Sequence, residues 1–323
     1  MCLVIHEPVN CITAEEFLNK ISPMGDYFKK ENLNSPWLFR GQGQDWPLIP
    51  SLFRKNAINV KLLTNRNVES GYSELLCAER DIILEFFSIA DKHGLIIPDD
   101  SQELRSTLES VRATNDGRVV HTGVDFRLSL NNSEWLTTSK VLSLVSLAQH
   151  YRVPTRLLDW SLHPFTAAFF AAEGGLERYD KETGFENLDI PLVVWAFYFP
   201  SFGIESSLKR SDYTIKGVTA PRGNNPNLKA QQGVFTLVHP RHTNEADNNY
   251  FPFEKILENI GDSGWSKGIM GCELRKFTLP VTETFELLRY LAKLGVTFSF
   301  VYPGYHSIIS DMQMKKKWGE KWT

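Results

Sequence analysis

Two prolines frame the stretch that most restricts how this chain folds. Upstream, Val141, Leu144, Val145 and Ala148 recur at helical spacing in a helix running to Gln149-His150-Tyr151. That helix must stop before Val153-Pro154, because the residue preceding a proline is pushed out of the α region. Downstream, Pro164 suits the first turn of a strongly apolar helix from Phe165 to Glu173, with Asp159 or Ser161 available as its cap. The intervening Thr155-Arg-Leu-Leu-Asp-Trp-Ser-Leu-His163 sets polar groups among apolar ones.

The rest of the chain mixes helical and strand patterns. Thr13-Ala-Glu-Glu16 has capping-box spacing and predicts a short helix within 13–30. Trp37, Leu38 and Phe39 form a strand that ends in Arg40-Gly41 and passes into a Gly- and Pro-punctuated loop. Tyr72, Leu75, Leu76, Ile82, Ile83, Phe86, Phe87 and Ala90 predict an amphipathic helix over 71–91. A second helix is expected at 101–112, inside a polar stretch that is the best place for an insertion. Pro191 to Phe199 and Leu274 to Leu279 predict strands, 209–229 a loop, and Ala230 to His239 a turn feeding a strand. Thr282 to Leu294 is a helix terminated by Gly295. The expected fold is α+β: a helical segment at 1–34, one elaborated domain at 35–310 with an insertion near 95–135, and a basic aromatic tail at 311–323.

A length of 323 residues allows one large domain or two ordinary ones. The net charge of −3 argues against a surface that clamps nucleic acid as a whole, though an enzyme needs only transient local contact. Cys2, Cys11, Cys77 and Cys272 show no CxxC pair and no histidine at ligand spacing, which disfavours structural zinc or a disulfide framework. The first residues hold only a four-residue apolar run, and no stretch approaches the roughly 18 apolar residues of a membrane helix. The expectation is a cytoplasmic protein with no membrane contact. Aromatic residues reach 12%, enough to fill a core and also line a pocket for a planar ligand.

Three polar clusters carry what chemistry the sequence offers: Arg40-Gly41-Gln42, Gln149 to Ser161, and Gln231-Gln232-Gly233. An arginine at a strand end beside glycine suits a phosphate or carboxylate, since guanidinium offers fixed bidentate donors and glycine admits a ligand to the backbone. Alternatively, Arg40 pairs with a buried aspartate and holds loops together. The helix following Asp159-Trp160-Ser161 offers unpaired N–H groups near Arg156, a setting for an anion, and Trp160 offers a face for a flat base. Equally, Asp159 caps that helix or pairs with Arg156 or Arg40 while Trp160 is core. His239 and His242 have no third ligand, and no GxSxG elbow, Walker loop or HExxH is present. Gly41-Gln-Gly43 lacks the third glycine of a dinucleotide fingerprint. The Lys315 to Trp322 tail interleaves basic and aromatic residues, which suits a nucleic-acid backbone or simply solvated charge.

Leu38-Phe-Arg-Gly-Gln42, with Trp46, Leu48, Pro50-Ser-Leu52 and Arg54, resembles the opening of the FRG domain family, named for its Phe-Arg-Gly motif. The resemblance continues through Leu147-Ala-Gln-His-Tyr151, Pro154 to Trp160, Pro164 with the Ala167-Ala-Phe-Phe-Ala171 helix, and Ala230 to Thr236. It returns more loosely over 287–305 and spans about 35–310 without 95–135. A more distant similarity links the chain to ADP-ribosyltransferases of the arginine-motif class. By that comparison Phe39-Arg40-Gly41 resembles the strand that holds NAD, Asp159-Trp160-Ser161 takes the place of a Ser-Thr-Ser-like strand, and Gln231-Gln232-Gly233 resembles the loop before an apolar strand. Gly233 then stands where that class has its catalytic glutamate.

The resemblance implies an ADP-ribosyltransferase-like single domain whose mixed sheets are flanked by helices, with NAD as co-substrate and no metal. It implies catalytic roles for Arg40, Asp159 and Gln231, and cofactor contacts from Arg40, Gly41, Gln42, Arg156, Trp160 and Phe235. It further implies a toxin of a bacterial toxin-antitoxin or anti-phage system, with an antitoxin protein as partner and RNA, DNA or protein as acceptor. The alternative is a non-catalytic nucleotide-binding sensor or scaffold.

Overall fold

A computed structural model describes residues 4–28, 36–54, 58–66, 71–115, 136, 139–200, 202, 208–210, 213–223, 225–240, 252–262 and 272–318. The strands are β1 (Val4–Ile5), β2 (Val9–Asn10), β3 (Trp37–Gln42), β4 (Leu157–Ser161), β5 (Tyr179–Asp180), β6 (Gly184–Phe185), β7 (Leu192–Tyr198), β8 (Leu208–Arg210), β9 (Tyr213–Val218), β10 (Gly233–Pro240) and β11 (Glu273–Leu279). The helices are α1 (Ala14–Ile21), α2 (Ile58–Leu63), α3 (Tyr72–Lys92), α4 (Gln102–Asn115), α5 (Ser139–His150), α6 (Pro164–Leu176), α7 (Pro226–Ala230), α8 (Phe253–Asp262), α9 (Thr284–Lys293), α10 (Phe298–Val301) and α11 (Tyr305–Trp318).

Among the described residues one nine-stranded sheet runs β1-β11-β7-β3-β4-β10-β9-β8, with β2 also on β11. β1 and β2 lie parallel to β11 and the other pairs are antiparallel. The chain is therefore a single α+β domain built on a mixed sheet. Central strands are covered on both faces, so their sequences read as near-continuous apolar runs rather than alternations. That is why β7 was legible as a buried strand, and why β4, with both of its faces engaged, resembles a loop between prolines.

Three packed clusters organise the sheet. Phe39, Val194 and Phe277 face α1, α6 and α9 through Phe17, Ala167 and Leu287. Farther along the sheet, Leu157, Phe235 and Leu237 pack against α3, α4 and α5 through Ile83, Leu104 and Leu144. On the opposite face, Leu38, Trp160, Trp195 and Phe197 meet α8 through Phe253 and Ile256. β3 and β4 thus stand at the seam between two helical groups. Their ladder holds one registered pair, Phe39 with Ser161.

The glycines of the Phe-Arg-Gly strand serve this packing. A Cβ on Gly41 would stand 1.8 Å from the Ala167 carbonyl oxygen, and one on Gly43 would stand 2.3 Å from the Gly174 carbonyl carbon. The backbone that approaches Gly41 on its Cβ side is that of α6.

Several sequence expectations are met closely. Thr13 accepts from the Glu16 N–H at 3.2 Å, while Glu16 reaches the Ile12 N–H at 2.9 Å, one residue beyond the cap itself. The α3, α4, α5, α6 and α9 boundaries fall within a few residues of the periodic patterns. Others need correction. The cap of α6 is His163, whose ring Nδ1 accepts the Thr166 N–H at 3.2 Å, because Asp159 and Ser161 are committed to β4. The stretch 209–229 contains β9 and α7, the latter capped by Asn225 on the Leu228 N–H at 2.9 Å. Lys315 to Trp318 end α11, and Lys317 lies over the Tyr179 and Phe285 rings, so this part of the tail is packed helix. Residues 116–135, 319–323, Cys2 and His242, with the side chain of His239, lie outside the described residues.

Cys11, Cys77 and Cys272 are buried free thiols. Among the described residues no helix is long and apolar enough to cross a membrane, and no group of three His, Cys, Asp or Glu could hold a metal ion.

Candidate functional site

The polar groups of interest gather at the seam. Beyond the single Phe39–Ser161 pair, Arg40 replaces ladder bonds with its side chain. Its Nη1 donates to the Asp159 carbonyl at 2.9 Å and lies 2.6 Å from Asp159 Oδ1. The Arg40 side chain is 10% exposed and that of Asp159 is 58% exposed. A largely buried guanidinium therefore holds a carboxylate that still faces water. The buried Nε–H of Arg40 has no hydrogen-bond partner among the described residues. An orphaned buried donor on a charged group is costly.

Desolvation pushes the Asp159 carboxyl up, but the charge and hydrogen bond of Arg40 outweigh it, with help from Arg54, and hold it below the ordinary range. Arg54 is itself shifted down, by desolvation first and by the like charge of Arg40 second. Gln149 Nε2 donates to Asp159 Oδ1 at 3.4 Å, while its Oε1 accepts the Thr155 hydroxyl at 2.5 Å.

Gln231 comes to the same region from β10's preceding turn. Ser161, which shares a face of β4 with Asp159, donates through its hydroxyl to the Gln231 carbonyl at 2.7 Å. The Gln231 amide donates to the Val301 carbonyl at 3.3 Å. The next residue, Tyr302, donates its O–H to Glu173 Oε2 at 2.6 Å, and Glu173 lies on α6, the helix seated on Gly41 and Gly43. Two sets of contacts therefore lie near the seam, Arg40 with Asp159, and Ser161, Gln231 and Val301 followed by the Tyr302–Glu173 bond. Arg40 and Asp159 meet directly; Gln231 borders them through Ser161.

The remaining residues that the sequence nominated are core. Gln42 is 6% exposed, with its Oε1 accepting the Trp195 indole N–H at 3.0 Å. Trp160 is 3% exposed, donates to the Thr236 hydroxyl at 2.9 Å and packs edge-on against Phe253. Phe235 packs in the cluster under α3 and α5. Arg156 is 1% exposed and ion-paired with the fully buried Glu79 of α3, whose other oxygen accepts the Arg156 backbone N–H at 2.8 Å. These side chains are engaged in packing and internal pairing. A cavity of about 310 Å³ among Phe169, Leu288, Phe298 and Met312 includes neither Arg40 nor Asp159.

Sequence reasoning missed Glu173 and Tyr302. Glu173 ends an apolar helix, where a carboxylate looks like a solvated terminus, and Tyr302 lies 129 residues away. Burial raises the Glu173 carboxyl, opposed by the Tyr302 hydrogen bond, and Tyr302 is raised by burial and then by Glu173.

The fold and site define an α+β domain with an arginine–aspartate ion pair at a seam in its sheet. Residues 97–180 match the FRG domain family model, a span that takes in α4, α5, β4 and α6 and hence Asp159 and Glu173. The match includes residues 97–135, which the motif resemblance had left aside, and excludes Arg40 and Gln231. No curated protein and no solved structure matches the chain.

Proposed function

We propose that the chain is an NAD-dependent ADP-ribosyltransferase-like enzyme that modifies a macromolecule. The observation that carries this reading is the Arg40–Asp159 pair, a 10%-exposed guanidinium with an orphaned Nε–H holding a 58%-exposed carboxylate. The guanidinium offers charge-assisted donors to a pyrophosphate. Asp159, held ionised by Arg40, offers acceptors to ribose hydroxyls and a negative charge for the positive charge that grows on the ribose as nicotinamide leaves. Gln231, at the border, completes the ribose side. Such a reaction needs electrostatic stabilisation rather than a protein nucleophile, in keeping with charged and amide groups at the seam.

The acceptor is RNA, DNA or protein, and the activity is that of a toxin in a toxin-antitoxin or phage-defence setting, restrained by an antitoxin protein. A second reading, a nucleotide-binding sensor without turnover, is favoured by Gly233, which leaves the loop after α7 without a carboxylate at the place where the resembled enzymes carry their glutamate. Incubation with adenylate-labelled NAD and cell extract decides between them. The transferase reading expects nicotinamide release and label in a macromolecular fraction that is sensitive to nuclease or protease. Binding without either sinks it and leaves the sensor. Growth arrest on induction, relieved by Arg40→Ala, tests the toxin role.

A further inference from the structure

The cavity of about 310 Å³ lies apart from the Arg40–Asp159 pair, among α6, α9, α10 and α11. Its walls are mostly apolar: Phe169, Leu288, Val296 and Phe298, with Ile308 and Met312 of α11. The inner wall is fixed, since Phe169 and Phe298 meet edge-on at 4.8 Å and Leu288 and Val296 are buried. At the outer wall Ile308 and Met312 are exposed, so the space is reached from solvent. An apolar hollow kept in contact with water is unfavourable, and an apolar molecule seated in it would cover that surface. An engineered cavity of about 150 Å³ takes one benzene ring. This cavity is about twice that size, which leaves room for two fused rings or a medium-length alkyl chain.

Four polar residues complete the lining: Thr297, Ser299, Asp311 and Lys315. Asp311 is committed, because its two oxygens accept the N–H groups of Phe298 and Ser299 at 2.8 and 3.1 Å. The Thr297 and Ser299 hydroxyls lie 3.2 Å apart, and Thr297 also accepts the Phe300 N–H at 3.3 Å. One hydroxyl proton closes the bond between them, and the other has no acceptor among the described residues. The donors that line the cavity are therefore this hydroxyl and the Lys315 ammonium. Lys293 at the end of α9 and Lys316 on α11 are exposed and add positive charge on the same two helices.

We propose that this cavity binds a small carboxylate with a two-ring or medium-chain apolar body. The body lies against Phe169, Leu288 and Phe298, and the carboxylate takes the Lys315 ammonium and the hydroxyl proton. The site shares no residue with the Arg40–Asp159 pair, so it stands or falls independently of the transferase reading.

The test titrates the full chain with naphthoate, decanoate and the neutral isostere acetylnaphthalene, reading affinity by calorimetry and the methionine methyl groups by NMR. The expected result is saturable binding of both carboxylates, a rise in Tm, and a shift of the Met312 methyl signal with that of Met24 unmoved. Ala292→Phe fills the space from α9, where Ala292 also lines the cavity, and should abolish binding without lowering the Tm. Lys315→Met keeps the apolar stem and removes the charge, so carboxylate affinity should fall about tenfold, the worth of one charge-assisted hydrogen bond, to that of acetylnaphthalene. Should Ala292→Phe fail to fold, the Met312 shift in wild type locates the ligand in its place. No saturable binding of either carboxylate to wild type, an unmoved Met312 signal, or binding retained by a folded Ala292→Phe protein overturns the site. Acetylnaphthalene that binds as tightly as naphthoate, or wild-type affinity in Lys315→Met, overturns the carboxylate head.

Discussion

The Arg156–Glu79 pair supplies the sharpest test of how the site is divided from the core. Both side chains are at most 1% exposed, so neither charge is screened by water. Glu79→Ala removes the carboxylate from a buried guanidinium, a change that costs about 3–5 kcal/mol. Against a total stability of about 5–15 kcal/mol, that is a large share. At about 2 °C per kcal/mol for a chain of this size, the Tm falls by about 6–10 °C. The paired variant Glu79→Leu with Arg156→Met removes both charges and the desolvation they incur, and is expected within about 1 kcal/mol of wild type or above it. Urea unfolding followed by tryptophan fluorescence measures all three proteins, and titration with NAD measures whether the double variant still binds. A Glu79→Ala loss under about 1 kcal/mol refutes the buried pair. A folded double variant that no longer binds NAD refutes the placement of Arg156 outside the site.

Gly41→Ala should destabilise by about 3 kcal/mol or more, because its Cβ would meet backbone of α6, whereas Gly223→Ala, with nothing within 4 Å, should leave the Tm nearly unchanged. Asp159 has a lowered folded pKa, so its contribution to stability is present above the unfolded value of about 3.9 and lost as pH falls through the lower folded value. Urea midpoints of wild type and Asp159→Asn should therefore differ at neutral pH and converge in strong acid. Thr13→Ala should cost about 1 kcal/mol in the same assay, since it leaves the Glu16 N–H at the start of α1 without its cap. Burial raises the thiols of Cys11 to about 11 and Cys272 to about 12, so both should resist alkylation at pH 8 in the native state and react once unfolded.

The helices were legible where one face alone is buried, as in α3, whose apolar residues recur every three or four positions. β4 was not, since Leu157 and Leu158 point into different clusters and five residues between two prolines carry no alternation. β9 lies in a polar stretch and is defined by its pairing with β10. In the site, Arg40 and Asp159 stood out as charges beside apolar strand residues, and their mutual pairing was one of the readings open from the sequence. The fate of Gln42 and Arg156 was hidden because the partners that bury them, Trp195 and Glu79, lie 153 and 77 residues away. Trp160 looked free to stack because nothing local revealed Phe253 or Thr236 on its two sides. Glu173 and Tyr302 were invisible for the same reason: their chemistry exists only where α6 and the segment after α10 meet.

The central claim is that the Arg40–Asp159 pair receives NAD. Calorimetric titration of NAD into wild type and into Arg40→Ala, with each fold checked by its thermal melt, measures that claim directly. The account predicts saturable binding to wild type and loss of measurable binding in a folded Arg40→Ala protein. Equal affinity in the two, or no binding to wild type, would contradict it.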